Sequence, residues 1–105
     1  MPEAGAATQL TVYRIVQEAL TNFLKHAGPE ATAVVRLRFD AERITVEVVD
    51  DGIGAASQSD GIGHGLQGMR ERVSAMRGTV TAGPLPERGF RVFAVIPNPR
   101  KKRAV

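Results

Sequence analysis

Asp50 and the glycines that follow it are the residues of this sequence best arranged to do chemistry. Ile44, Val46, Val48 and Asp50 share the parity of one strand face, so the carboxylate emerges at a strand end on the apolar side. A carboxylate there seeks a donor. Gly52 and Gly54 remove the next side chains, which lets the chain turn sharply and a flat ligand lie against the backbone. The run Gly61-Ile62-Gly63-His64-Gly65 precedes an amphipathic stretch marked by Leu66, Met69, Val73 and Met76. Bare N–H groups at such a helix start, near the positive end of the helix dipole, suit a phosphate. A third group, Arg14, Glu18, Asn22 and Lys25, recurs at helical steps on one face. A solvated row with Arg14–Glu18 pairing is the simple reading, but asparagine is a poor helix former in mid-helix without a capping task. Its amide oxygen is easier to justify if it binds something.

Local pattern sets the elements that position these groups. Val12, Ile15, Val16, Ala19, Leu20, Phe23 and Leu24 give a helix from Leu10, stopped by Gly28-Pro29. Alternation over 33–40 puts Val35, Leu37 and Phe39 opposite Arg36 and Arg38, and predicts a strand. A turn at Asp40-Ala41-Glu42-Arg43 joins it to the strand 44–49 that delivers Asp50. Residues 55–60 are small and polar and read as a mobile lid. The second helix starts at Gly63-His64-Gly65 and ends at Gly78, and strands 79–82 and 90–96 complete the order helix, strand, strand, helix, strand, strand. One helical layer on one sheet face is the economical packing.

Composition narrows the class. With 105 residues there is room for one core, which must be mostly aliphatic because aromatics are 5% and tryptophan is absent. No cysteine means no disulfide and no thiolate metal site, and two histidines far apart make a poor zinc case. The net charge of +3 is exceeded by Arg100, Lys101, Lys102 and Arg103 alone, so the remainder is near neutral and gives no signal for nucleic acid. The longest apolar run, 92–96, is far too short to span a bilayer, and the chain is expected to be soluble. A dinucleotide fingerprint fails for want of a preceding parallel strand, and a Walker-type loop fails for want of Gly-Lys-Ser/Thr. An acceptor, a phosphate-binding helix start and a polar helical row remain, and together they make a nucleotide site.

These residues resemble a known family. Gln17-Glu18-Ala19-Leu20-Thr21-Asn22-Phe23-Leu24-Lys25-His26 looks like the N box of the gyrase, chaperone, histidine kinase and mismatch-repair ATPases. Asp50-Asp51-Gly52-Ile53-Gly54 looks like its first glycine box, and the run from Gly63 to Arg72 like its second. Among these ATPases the sequence is most similar to the ATP-binding domain of sensor histidine kinases of the nitrate-sensor and desaturase-thermosensor type. The resemblance implies an α+β two-layer sandwich of the Bergerat type, with a mixed, mostly antiparallel sheet covered on one face by helices. It implies residues 10–97 as the domain, with 1–9 a disordered leader or cut linker and 98–105 a basic disordered tail. It also implies ATP and Mg²⁺ as ligands. Asp50 would accept from the adenine amine, Gly52, Ile53 and Gly54 would line the base, and Asn22 would hold Mg²⁺. Lys25 and His26 would meet phosphate or ribose, and Gly63, His64, Gly65 and Leu66 would cover the triphosphate. Glu18 would orient a Mg²⁺-bound or attacking water.

The departures from the family are specific. No histidine followed by an acidic residue marks a phosphoacceptor, so the dimerisation domain that receives the phosphoryl group must be separate. No strand pattern precedes the first helix, no phenylalanine box is visible in the lid, and Phe90 follows Gly89 where relatives place threonine. The expected activity is protein-histidine kinase, with the response regulator an indirect partner. The isolated chain is expected to be a cytoplasmic monomer without membrane contact, whatever anchors its parent. An anti-sigma-factor-type serine kinase and a non-catalytic binding module are the alternatives.

Overall fold

The computed structural model describes residues 5–52 and 59–98, and for 59–66 the backbone alone. Ile53, Gly54, most of the expected lid and the basic run after Pro99 lie outside the described residues.

Helix α1 spans Ala6–His26 and strands β1 and β2 span Ala33–Phe39 and Arg43–Asp50. Helix α2 covers Ser59–Ala75, followed by β3, Thr79–Pro84, and β4, Phe90–Pro97. The sheet order is β1-β2-β4-β3. All pairings among the described residues are antiparallel, in keeping with the expected mostly antiparallel sheet of a two-layer α+β sandwich. The element order is the one expected from the sequence.

Alternation in β2 and β4 decides which face is inside. Ile44, Val46 and Val48 of β2 are buried with Val92, Ala94 and Ile96 of β4, and intervening residues are half-buried. Val12, Ile15 and Ala19 of α1 and Met69 and Val73 of α2 close over that face in one aliphatic core. Val35 and Leu37 share the parity of this face, yet both stay exposed because β1 is an edge strand beyond the cover of the helix layer. Asp40 shapes the β1–β2 turn: its Oδ1 accepts the N–H groups of Glu42 and Arg43 at 2.9 and 2.8 Å.

The helix boundaries differ most from the sequence reading, and β2, β3 and β4 run one or two residues longer than expected. α1 begins at Ala6 rather than Leu10, with buried Thr8 inside it and Gly5 at its N-cap, so part of the expected leader is helix. α2 begins at Ser59, which puts Gly61, Gly63, His64 and Gly65 within the helix instead of at its start. Glycine in a helix interior costs up to about 1 kcal/mol relative to alanine but does not forbid the helix. Its C-terminus is a Schellman closure, with Gly78 N–H bonded to the Val73 carbonyl at 2.9 Å and Arg77 N–H to that of Ser74 at 2.9 Å. The left-handed residue there is Arg77, φ 64°, and not Gly78. Gly78 is needed for space: a Cβ would overlap the Val95 carbonyl oxygen of β4.

Candidate functional site

Asn22 and Asp50 meet in one pocket. It is lined by Ala19, Asn22, Phe23 and Ala27 from the end of α1 and by Asp50, Phe90 and Val92 from β2 and β4. Both polar residues are buried, Asn22 at 8% and Asp50 at 9% exposure. Among the described residues the Asn22 Nδ2 has no hydrogen-bond partner. A buried amide donor left unpaired is costly to the fold, so such a group marks a ligand position better than a packing one. Asp50 Oδ1 accepts the Gly52 N–H at 2.8 Å, which fixes the carboxyl plane.

The backbone after Asp50 is held from three sides. Asp51 turns outward, and its carboxylate accepts the Thr32 N–H at 2.8 Å and the Thr32 hydroxyl at 3.3 Å. The Thr32 N–H is the main reason that the Asp51 carboxyl is held below its ordinary range. Arg88, from the β3–β4 hairpin, donates from Nε to the Asp51 carbonyl at 2.7 Å. Gly89 has φ +100°, and a Cβ there would overlap the Asp50 carbonyl oxygen. Gly52 is buried against Ala27, the C-cap residue of α1. Its lack of a side chain therefore serves helix–loop packing, where the sequence suggested approach of a flat ligand.

The other expected residues are spread more widely. Glu18 is half-buried, one turn before Asn22, and lines a separate cleft between α1 and α2 with Arg14, Ile15, Met69 and Arg72. Lys25 is exposed in the last turn of α1, where its charge suits the helix dipole, and His26 beside it is half-buried. Gly63, His64, Gly65 and Leu66 are placed on α2 by their backbone. Ile53 and Gly54 fall outside the described residues. Among the described residues no cluster of three or more His, Cys, Asp or Glu could hold a metal ion unaided.

Sequence reasoning missed Thr32, Ala27 and Arg88. Thr32 and Arg88 lie 19 and 37 residues from Asp51, and neither has a local pattern that points there. Phe90 was noticed only as a departure; it pairs with Asp50 across β2 and β4 and supplies an aromatic wall of the pocket.

A carboxylate at a strand end thus shares a pocket with a buried helical amide whose Nδ2 has no partner among the described residues, in a two-layer α+β domain. Comparison with known proteins supplies the family. The chain belongs to the histidine kinase-, DNA gyrase B- and HSP90-like ATPases, whose pattern it matches over residues 7–100. It is 44% identical over 73 residues to the signal transduction histidine-protein kinase/phosphatase UhpB of Salmonella typhimurium, covering 70% of this chain and 14% of that protein. It is 40% identical over 91 residues to the oxygen sensor histidine kinase NreB of Staphylococcus carnosus, covering 85% of this chain and 26% of that protein. The chain thus spans only a small part of these relatives. Among solved structures it is similar to the histidine kinase domain of the blue-light activated histidine kinase of Erythrobacter litoralis EL346. That match has a TM-score of 0.63 and 28% identity, over 89% of this chain and 46% of the other. The chain is a histidine kinase-type ATP-binding domain.

Proposed function

We infer that this domain binds Mg-ATP in the Asn22–Asp50 pocket and donates the γ-phosphoryl group to a histidine on a separate dimerisation domain of its parent sensor kinase. The pairing of a fixed, buried Asp50 carboxylate with the unpaired Asn22 amide carries this reading. Asp50 accepts from the adenine amine. Asn22 is a hard oxygen donor suited to Mg²⁺, an ion that takes few protein ligands and completes its shell with phosphate oxygens and water. Asn22 would hold the ion through Oδ1, and its Nδ2 has no hydrogen-bond partner among the described residues that would fix the amide to the fold.

Lys25, in the last turn of α1, supplies positive charge toward phosphate, His26 beside it sits by phosphate or ribose, and Gly63, His64, Gly65 and Leu66 cover the triphosphate. Glu18 orients the attacking group or a water. In the transfer, the bond from the β,γ-bridging oxygen to the γ-phosphorus breaks. A phosphorus–nitrogen bond forms to the acceptor imidazole, and the imidazole proton passes to a base. Positioning and charge neutralisation do most of the work in such a reaction. ATP as donor sets the cytoplasm as the site of action, and a response regulator would take the phosphoryl group next.

Calorimetric titration of ATP into the chain, with and without Mg²⁺, tests the reading. Saturable binding is expected at micromolar to millimolar Kd, about −8 to −4 kcal/mol, weakened without Mg²⁺ and lost in Asp50→Asn. A folded chain that gives no heat, or an Asp50→Asn variant that binds as well, overturns it.

A further inference from the structure

The Asp50 carboxylate stands among hydrocarbon. Its partner across β1 and β2 is Ala33, its partner across β2 and β4 is Phe90, and Val48 precedes it on the same face of β2. Residues directly opposed on one sheet face keep their Cβ atoms about 5 Å apart, so the side chains of Ala33 and Phe90 flank the carboxyl group. Phe90 is as deeply buried as Asp50, each at 9% exposure, and it begins the inward series Phe90, Val92, Ala94 and Ile96 of β4. The strand is held there by Gly89, whose position against the Asp50 carbonyl oxygen leaves no room for a Cβ. Around the pocket, Ala19, Phe23, Ala27, Phe90 and Val92 offer carbon only, and Asn22, on the α1 wall, is the one lining side chain with a donor. Asp50 Oδ1 accepts the Gly52 N–H at 2.8 Å, and Oδ2 accepts no hydrogen bond among the described residues.

Resting on the reading that Asp50 receives the adenine amine, we propose that Phe90 is a specificity-determining residue: it leaves the 6-amine as the only group on that edge of the base that the site reads, with no donor for the adjacent ring nitrogen N1. In adenine the 6-amine and N1 are neighbours on one edge. When the amine meets Asp50, N1 therefore comes against the residues that flank the carboxylate. A hydroxyl at a flanking position could donate to N1, or could join Asp50 in holding a bridging water, which needs two or more polar partners. Ala33 and Phe90 can do neither. The Asn22 amide, from the opposite wall, is taken up with the metal in the same reading. N1 thus gives up its hydration on binding and gains no hydrogen bond in return, which costs affinity. A 6-amino base with C–H in place of N1 escapes that cost. The site therefore takes 6-aminopurine nucleotides, is indifferent to N1 or better off without it, and rejects a purine that lacks the amine.

Calorimetric titration of the full chain with the Mg²⁺ salts of ATP, 1-deaza-ATP and purine riboside triphosphate tests this. 1-Deaza-ATP, with C–H for N1, is expected to bind as tightly as ATP or more tightly. Purine riboside triphosphate, without the 6-amine, should bind about tenfold more weakly, the worth of a hydrogen bond to a charged group. Phe90→Thr places a hydroxyl beside Asp50 and should shift the ratio several-fold in favour of ATP, whereas Phe90→Leu, which keeps the flank hydrocarbon, should keep the ratio of the unaltered chain. Ratios are compared within each variant, so a lower folded fraction does not move them, and the comparison in the unaltered chain decides by itself where Phe90→Thr does not fold. The proposal is overturned by ATP binding several-fold more tightly than 1-deaza-ATP to the unaltered chain, by a folded Phe90→Thr variant whose ratio stays put, or by a Phe90→Leu ratio that moves as Phe90→Thr does. Purine riboside triphosphate binding as well as ATP, or no binding of ATP at all, overturns the reading of Asp50 and the proposal with it.

Discussion

The backbone of Gly52 lies so close to Ala27 that no side chain can stand between them: a Cβ would overlap both the Ala27 Cβ and its carbonyl oxygen. The first turn of the loop after β2 is thereby pressed against the C-cap of α1, and this contact brings Asp50 and Asn22 to one pocket.

Gly52→Ala is accordingly expected to destabilise the domain by about 2–3 kcal/mol, the scale of overpacking a close contact. The obstacle is backbone as well as side chain, so Ala27→Gly added to it should restore only part of the loss. Gly83→Ala is the control, because a Cβ at Gly83 meets nothing within 4 Å. Its effect should lie within about 0.5 kcal/mol of zero, as for most surface changes. Chemical denaturation of the three variants measures this, and a Gly52→Ala midpoint equal to that of Gly83→Ala contradicts the packing account.

Asn22 sets stability against function. Its Nδ2 is buried without a partner among the described residues, and asparagine is about 0.5 kcal/mol worse than alanine within a helix. Asn22→Ala should therefore leave stability unchanged or raise it by about 1 kcal/mol, while weakening Mg-ATP binding at least tenfold and removing the difference that Mg²⁺ makes. Thermal unfolding read beside calorimetry separates the two effects. A variant that loses more than about 1 kcal/mol would show that Asn22 is a packing residue.

Most of the architecture was legible because period and burial agree. Ile44, Val46 and Val48 alternate with half-buried residues as a one-sided strand must, and Val12, Ile15 and Ala19 keep helical spacing onto the same core. The first turn of α1 was not legible, since Ala6-Ala7-Thr8 has no apolar period to announce it. Glycines misled at one end of α2: those at 63 and 65 read as a helix start and lie inside it, while Gly78, read as its end, stands just past Arg77, which takes the left-handed conformation. Asp50 and Asn22 could be singled out by residue type and position. Thr32 and Arg88 could not, because their roles exist only once distant segments meet at Asp51.

The open sheet face carries a titratable device whose sign can be worked out. Glu47 accepts from Arg91 Nε at 2.7 Å and from Arg36 at 3.1 Å, while the Arg91 guanidinium lies 4.4 Å from the Phe93 ring centroid. The Arg91 hydrogen bond is the main reason that the Glu47 carboxyl sits below its ordinary range. Asp40 and Asp51 are held down as well, chiefly by the backbone N–H groups of Arg43 and Thr32. A carboxyl whose folded pKa is depressed stabilises the fold above its unfolded pKa, and that contribution is lost as pH falls through the folded value. The unfolded references are 4.5 for Glu47 and 3.8 for the two aspartates, so stability should be flat above about pH 5 and decline below it. Glu47→Gln keeps the shape and removes the charge. Its denaturation midpoint should fall below that of the unaltered chain at pH 7, and the gap should close as the medium is acidified and Glu47 itself becomes neutral. Because Arg36 is largely exposed, added salt should narrow the gap at pH 7 too. Midpoints taken from pH 7 to pH 3 check both, and two curves that stay parallel to the acid end would remove Glu47 from the account.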